Sequence, residues 1–216
     1  MTLVAVSEPP ALTSEPTLRF VALGDSVTLG VGDVCPPGRC AGWAARLCEA
    51  LDAAAPGGGC VLVNLARNGA RAAHVRHDQL PWALAIRPHL ASVVVGGNDV
   101  LRGDFAAHKI GADIGIVVRE LRAAGATVLM ATMPRPGQAV PLPRALAKVL
   151  AARIGDLNQV YRRLAVANGA VLLDLATHPA AITRAAWHID GIHPSVTGHR
   201  LLAEVSPASS ALRAGR

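Results

Sequence analysis

The sequence predicts an α/β fold, a three-layer α/β/α sandwich on a five-stranded parallel sheet, and three observations carry the prediction. Short apolar runs alternate with longer stretches of helical periodicity, the pattern of strand–helix units whose sheet is covered on both faces. The runs themselves are nearly continuous rather than alternating apolar and polar, as expected of strands buried on both sides. Hydrophobic residues make up 51% of the chain but aromatic residues only 3%, so the core has to be built from Val, Leu, Ile and Ala.

Leu18 to Leu23 reads as the first strand, ended abruptly by Gly24-Asp25-Ser26. Ala41 to Ala54 carries Trp43, Leu47 and Leu51 on one helical face and is stopped by Pro56 and the glycines around it. Cys60 to Leu65 is the second strand, and Ala72 to Ile86 is a helix broken before Pro88. Ala91 to Val95 is the third strand, ending at Gly96-Gly97. Ile110, Ile114, Val117, Val118 and Leu121 share a helical face, with Gly125 at its C-terminal side. Ala126 to Ala131 follows as the fourth strand. A long helix then puts Leu146, Val149, Leu150, Ile154, Leu157, Val160, Tyr161 and Leu164 on its buried stripe and ends at Asn168-Gly169. Ala170 to Leu173 is the fifth strand and Thr197 to Val205 the last helix.

A length of 216 residues suits one α/β domain and is short for two enzymatic ones. Residues 18–210 therefore read as a single domain behind an extended leader over residues 1–17, where Glu8, Pro9, Pro10, Glu15 and Pro16 fall. That leader lacks the basic start and apolar core of a secretory signal, so a cytoplasmic protein is expected. Its four cysteines then read as thiols, although an exported chain would favour a small disulfide loop between Cys35 and Cys40. No apolar run approaches the roughly 18 residues of a membrane span. The net charge of +6 invites a nucleic-acid partner, but the arginines are scattered and aromatic residues for base stacking are scarce, so none is expected.

Chemistry concentrates where strands end. Ser26 lies just past the carboxyl end of the first strand, Gly69 past the second and Asn98 past the third, while Asp190 and His193 lie beyond the fifth. In a parallel sheet those loops open on one edge, where ligands bind in open α/β sheets. A serine hydroxyl is a weak nucleophile that needs a base within hydrogen-bond reach; His193 is the candidate, with Asp190 to orient its ring. Plainer readings exist for each piece: Asp25-Ser26 as a helix cap, Asn68-Gly69 as a simple turn, and His193 as a surface histidine before the last helix. A metal site from His188, Asp190 and His193 is disfavoured because no other region supplies a ligand pair.

Taken together, Gly24-Asp25-Ser26, the Asn64-to-Ala70 stretch with Gly69, Val95-Gly96-Gly97-Asn98-Asp99 and Asp190-Gly191-Ile192-His193 resemble the blocks of the SGNH, or GDSL, serine hydrolases over residues 24–193. The resemblance implies a flavodoxin-like sheet of order 2-1-3-4-5 and a catalytic set of Ser26, Asp190 and His193. It also implies an oxyanion hole made by the Ser26 N–H, the Gly69 N–H and the Asn98 side-chain amide. The expected function is a serine esterase acting through an acyl-enzyme on small-molecule esters, with no cofactor and no metal. An acyltransferase or a sugar O-deacetylase would use the same residues. The substrate stays open between lipase, thioesterase, deacetylase and metabolite-tailoring esterase, because the fold does not encode the acyl or leaving group.

Other clusters read as ordinary surface. His74, His77 and Asp78 form a solvated helix face. Met130 to Pro143 reads as a loop facing the active edge. Arg67, Arg71, Arg102, Arg135 and Arg144 fall near the same edge and could ring it for an anionic substrate, or simply reflect an Arg-rich surface.

Overall fold

A computed structural model of the chain describes residues 18–33, 42–54, 59–134 and 142–205. The expected leader, the Cys35–Cys40 pair, Arg135 and most of the loop between residues 134 and 144 lie outside the described residues. Strand β1, Leu18–Gly24, sits between β2, Cys60–Asn64, and β3, Leu90–Val94. Strands β4, Thr127–Ala131, and β5, Val171–Leu173, complete a parallel sheet of order β2-β1-β3-β4-β5, the order the resemblance implies.

The period-2 alternation of each strand sorts its side chains between two cores. Val21 and Leu23 of β1, Ala91 and Val93 of β3 and Val128 and Met130 of β4 face one; Phe20, Ala22, Leu90, Leu129 and Ala131 face the other. The first core is roofed by α3, Ala72–His74, a π-helical turn Val75–Gln79, α4, Leu80–Ile86, and by α6, Ala107–Ala123, and α7, Arg144–Asn168. The second is roofed by α2, Trp43–Ala54, and α8, Val196–Glu204, with short 3-10 turns at Pro179–Ile182 and Arg184–Ala186. Two further short helices, α1, Ser26–Leu29, and α5, Gly97–Val100, start directly at strand ends. On the β2 side, the Cys48 thiol of α2 meets Cys60 Sγ at 2.7 Å.

Two expectations change. The stretch from 72 to 86 is not one regular helix: it widens into a π turn at its middle, which turns Gln79 into the core at 2% exposure. Leu146 and Val149, expected on the buried stripe of α7, are 46% and 47% exposed. The buried stripe of that helix runs through Leu150, Ile154, Leu157, Tyr161 and Ala165, and Leu146 and Val149 fall at its margin in the first turns. No helix among the described residues is long and apolar enough to cross a membrane.

Candidate active site

Three strand ends and one loop build the site. Gly24 ends β1 with φ +156°, and a Cβ there would lie 2.2 Å from the Val94 carbonyl oxygen, so only glycine lets the chain leave the strand this close to β3. Asp25 then caps α1, its Oδ1 accepting from Val27 N–H at 3.0 Å, and Ser26 becomes the first residue of that helix, 6% exposed. Burial pushes the Asp25 carboxyl up to about 6, with the Asp99 charge adding to the rise; the Val27 N–H and the nearby His193 work against it.

The loop from Trp187 to Pro194 is a narrow clasp. Those two residues pair as an antiparallel bridge, His188 N–H donates to the His193 carbonyl at 2.8 Å, and Gly191 N–H to the His188 carbonyl at 3.1 Å. Below it Ser195 caps α8, its Oγ accepting from Gly198 N–H and donating to the Ala185 carbonyl. The clasp lays Asp190, His193 and Ser26 in series. Asp190 Oδ2 meets His193 Nδ1 at 2.8 Å, and His193 Nε2 meets Ser26 Oγ at 2.9 Å. Asp190 Oδ1 accepts from the N–H groups of Ile192, at 2.9 Å, and His193, at 3.0 Å. Partial burial acts to raise the Asp190 carboxyl, but these donors and the rings of His193 and His188 outweigh it and hold the group well below the usual carboxylate range.

The other two expected residues are tied to the same edge. Arg67 N–H donates to the Gly24 carbonyl at 3.2 Å, so the turn holding Asn68 and Gly69 starts at the base of the Ser26 loop. Gly69 has φ +74° with open space where a Cβ would be, so its glycine answers to backbone conformation rather than to crowding. Asn98 Nδ2 donates to the Ala70 carbonyl at 3.0 Å, which leaves its second amide proton available. Arg71 locks this junction: its guanidinium pairs with Asp99 at 3.1 Å and Asp104 at 3.2 Å, while Asp99 also accepts from Ala72 N–H. Arg71 is therefore committed to carboxylates of the protein and does not stand free for an anionic ligand. Among the described residues, no group of three His, Cys, Asp or Glu side chains is arranged to hold a metal ion. His74 is instead used locally, its Nδ1 accepting from Arg71 N–H.

Several supporting residues carry no sequence signal. Gln79 bonds both backbone groups of Gly24, accepting from its N–H at 2.8 Å and donating to its carbonyl at 2.9 Å. Asn158 does the same for Met133 beyond β4, at 2.8 Å each way. His199 of α8 is fully buried, accepting from Trp43 N–H and facing the Val31 carbonyl, and burial holds its ring below the usual imidazole range. Tyr161 donates to the Val95 carbonyl at 2.7 Å beneath the Asn98 loop; burial, with the charges of Asp99 and Asp25, pushes its hydroxyl well up. A carboxamide or an imidazole inside a helical pattern does not announce which backbone it will reach.

An alcohol, an imidazole and a carboxylate in series can generate an alkoxide equivalent at neutral pH. Several solved structures share this fold. The chain spans 90% of its own length and 99% of that of TesA, at 25% identity and a TM-score of 0.70. It is also similar to Axe2, an acetylxylan esterase from Geobacillus stearothermophilus (21% identity, 88% of this chain and 92% of that one, TM-score 0.71). LAE5, an alpha/beta hydrolase enzyme from the metagenome of Lake Arreo, shares the fold at 20% identity, 91% and 97% coverage and a TM-score of 0.73. No curated protein sequence matches the chain. Residues 22–201 match the model of the GDSL-like lipase/acylhydrolase family, and with that span covering most of its length the chain belongs to this family of carboxylic ester hydrolases.

Proposed function

We propose that the chain is a serine esterase in which Ser26 is the nucleophile, His193 the general base and acid, and Asp190 the group that orients the imidazole. The observation that carries this reading is the unbroken line from Asp190 Oδ2 through the His193 ring to Ser26 Oγ, with contacts of 2.8 and 2.9 Å. Ser26 Oγ attacks the ester carbonyl carbon as its proton passes to His193 Nε2. The resulting oxyanion is received by the N–H groups of Ser26 and Gly69 and the free amide proton of Asn98. Ser26 stands at the start of α1, where N–H groups have no intrahelical partner, and among the described residues the Gly69 N–H donates to no protein group. Collapse of the intermediate expels the alcohol, which takes the proton from His193 and leaves an acyl-enzyme. Water, deprotonated by the same ring, then releases the acid.

The substrates are esters of small acyl groups. The same acyl-enzyme would transfer to an alcohol wherever an acceptor outcompetes water, so product analysis with and without acceptor separates a hydrolase from a transferase. Ser26→Ala is expected to lower kcat for p-nitrophenyl acetate by several orders of magnitude, since the remaining groups then have no nucleophile to assist. Turnover by that variant near the wild-type rate would assign the chemistry to another residue.

A further inference from the structure

We propose that His188 is a positioning residue of the esterase, a second imidazole on Asp190 that fixes the carboxylate against the clasp and divides its charge with His193. This rests on the assignment of Ser26, His193 and Asp190 above. His188 Nδ1 lies 3.1 Å from Asp190 Oδ2, the same oxygen that His193 Nδ1 meets at 2.8 Å. Nδ1 is also 3.5 Å from Asp190 N–H, a contact that would need the ring as acceptor. The shorter contact to a carboxylate selects the form in which Nδ1 carries the proton and donates.

The four donors divide evenly. Oδ1 holds the two backbone N–H groups of Ile192 and His193, and Oδ2 holds the two rings. This matters because Asp190 is not enclosed: its side chain is 36% exposed, twice the 18% of His193. Without His188, water would take the second site on Oδ2, and water neither fixes the carboxylate nor stays. The backbone of His188 already secures the clasp through the His193 carbonyl and Gly191 N–H, and Arg184 Nη1 reaches the carbonyls of both Trp187 and His188. The side chain is therefore spare for Asp190, and replacing it leaves those backbone bonds in place.

The charges around the ring are few. On its own loop they are Asp190, His193 and Arg184. From the Ser26 side Gly32 packs near its Cβ, with Asp33 next along the chain paired to Arg46, and buried His199 of α8 stands behind His193. None of these can replace the donor to Oδ2, because Arg46 is committed to Asp33 and Arg184 to backbone carbonyls.

The test compares His188→Phe, which keeps a ring but has no donor, with His188→Asn, whose amide can still donate to Oδ2. Ser26→Ala is run alongside. For p-nitrophenyl acetate, His188→Phe is expected to lower kcat about 3- to 10-fold with KM within about twofold. It should also move the acid limb of kcat/KM upward by about half a pH unit, because an undivided Asp190 charge holds the His193 proton more tightly. His188→Asn should restore most of kcat and return the acid limb toward wild type. An unchanged kcat and pH profile in His188→Phe, while Ser26→Ala is inactive, overturns this inference and leaves the esterase assignment standing. A shift in which Asn behaves like Phe overturns it as well, because a donor returned to Oδ2 would then restore nothing. Full activity in Ser26→Ala overturns both.

Discussion

Ser26 owes its placement to the residues around it, and the consequences are measurable one side chain at a time. Asn98 is held through one amide proton by the Ala70 carbonyl, so its other proton is oriented before substrate arrives. Asn98→Ala should therefore lower kcat about 100- to 1000-fold with little change in KM, the usual cost of a missing oxyanion donor, as steady-state kinetics on a neutral ester would register. Asp25 is the opposite case, a residue whose ionisation strains the fold. Its carboxyl is pushed from 3.8 up to about 6, so the stability it contributes is complete below 3.8 and is lost as the pH rises through about 6. Asp25→Asn keeps the acceptor for Val27 N–H and removes the buried charge. It should be the more stable protein at pH 8, by at most about 3 kcal/mol, with the advantage vanishing near pH 4. Urea unfolding at the two pH values tests this, and an equal difference at both would mean that burial of the charge is not the cause.

At the scale of elements, two carboxamides tie down the backbone where strands end on the site's edge of the sheet. Gln79 does this for Gly24 and Asn158 for Met133, each from a helix and each with two bonds to one backbone unit. The π turn exists in the structure where Gln79 must point inward instead of to solvent. Gln79→Leu should cost about 1–3 kcal/mol, the penalty for a buried N–H left without a partner, seen as a lower thermal midpoint. An unchanged midpoint would show that Gly24 finds another partner. These devices were not legible in the sequence, since the residues between 72 and 86 fit a regular helix and the extra residue of a π turn leaves no periodic trace. The strands were legible to within a residue or so, because runs such as Leu18 to Leu23 have to be apolar on both faces. Leu146 and Val149 fit the stripe of α7 by spacing alone; spacing cannot tell where the buried arc of the helix ends.

Over the whole molecule, the parallel sheet turns sequence distance into proximity. Ser26 and His193 are 167 positions apart and stand at 2.9 Å, because the loops that follow β1 and β5 leave the same edge. Ser26, Gly69 and Asn98 could be read from the sequence because each follows a punctuated strand end, and Asp190 and His193 because they fall three apart in one short loop before the last helix. Their support could not, because it arrives from α7, α8 and the π turn through contacts between residues far apart in the chain. His188 differs, because its partner Asp190 is only two residues away; the sequence offers the pair only as part of a metal site with His193, which is disfavoured there, and does not point to a carboxylate shared by two rings. The proposed esterase stands on Ser26 as the activated nucleophile, and covalent trapping tests that most directly. Incubation with a fluorophosphonate, followed by peptide mapping in a mass spectrometer, should give one adduct on Ser26, none in Ser26→Ala and a greatly slowed reaction in His193→Ala. An adduct on another residue, or labelling of Ser26→Ala at the wild-type rate, would contradict the account.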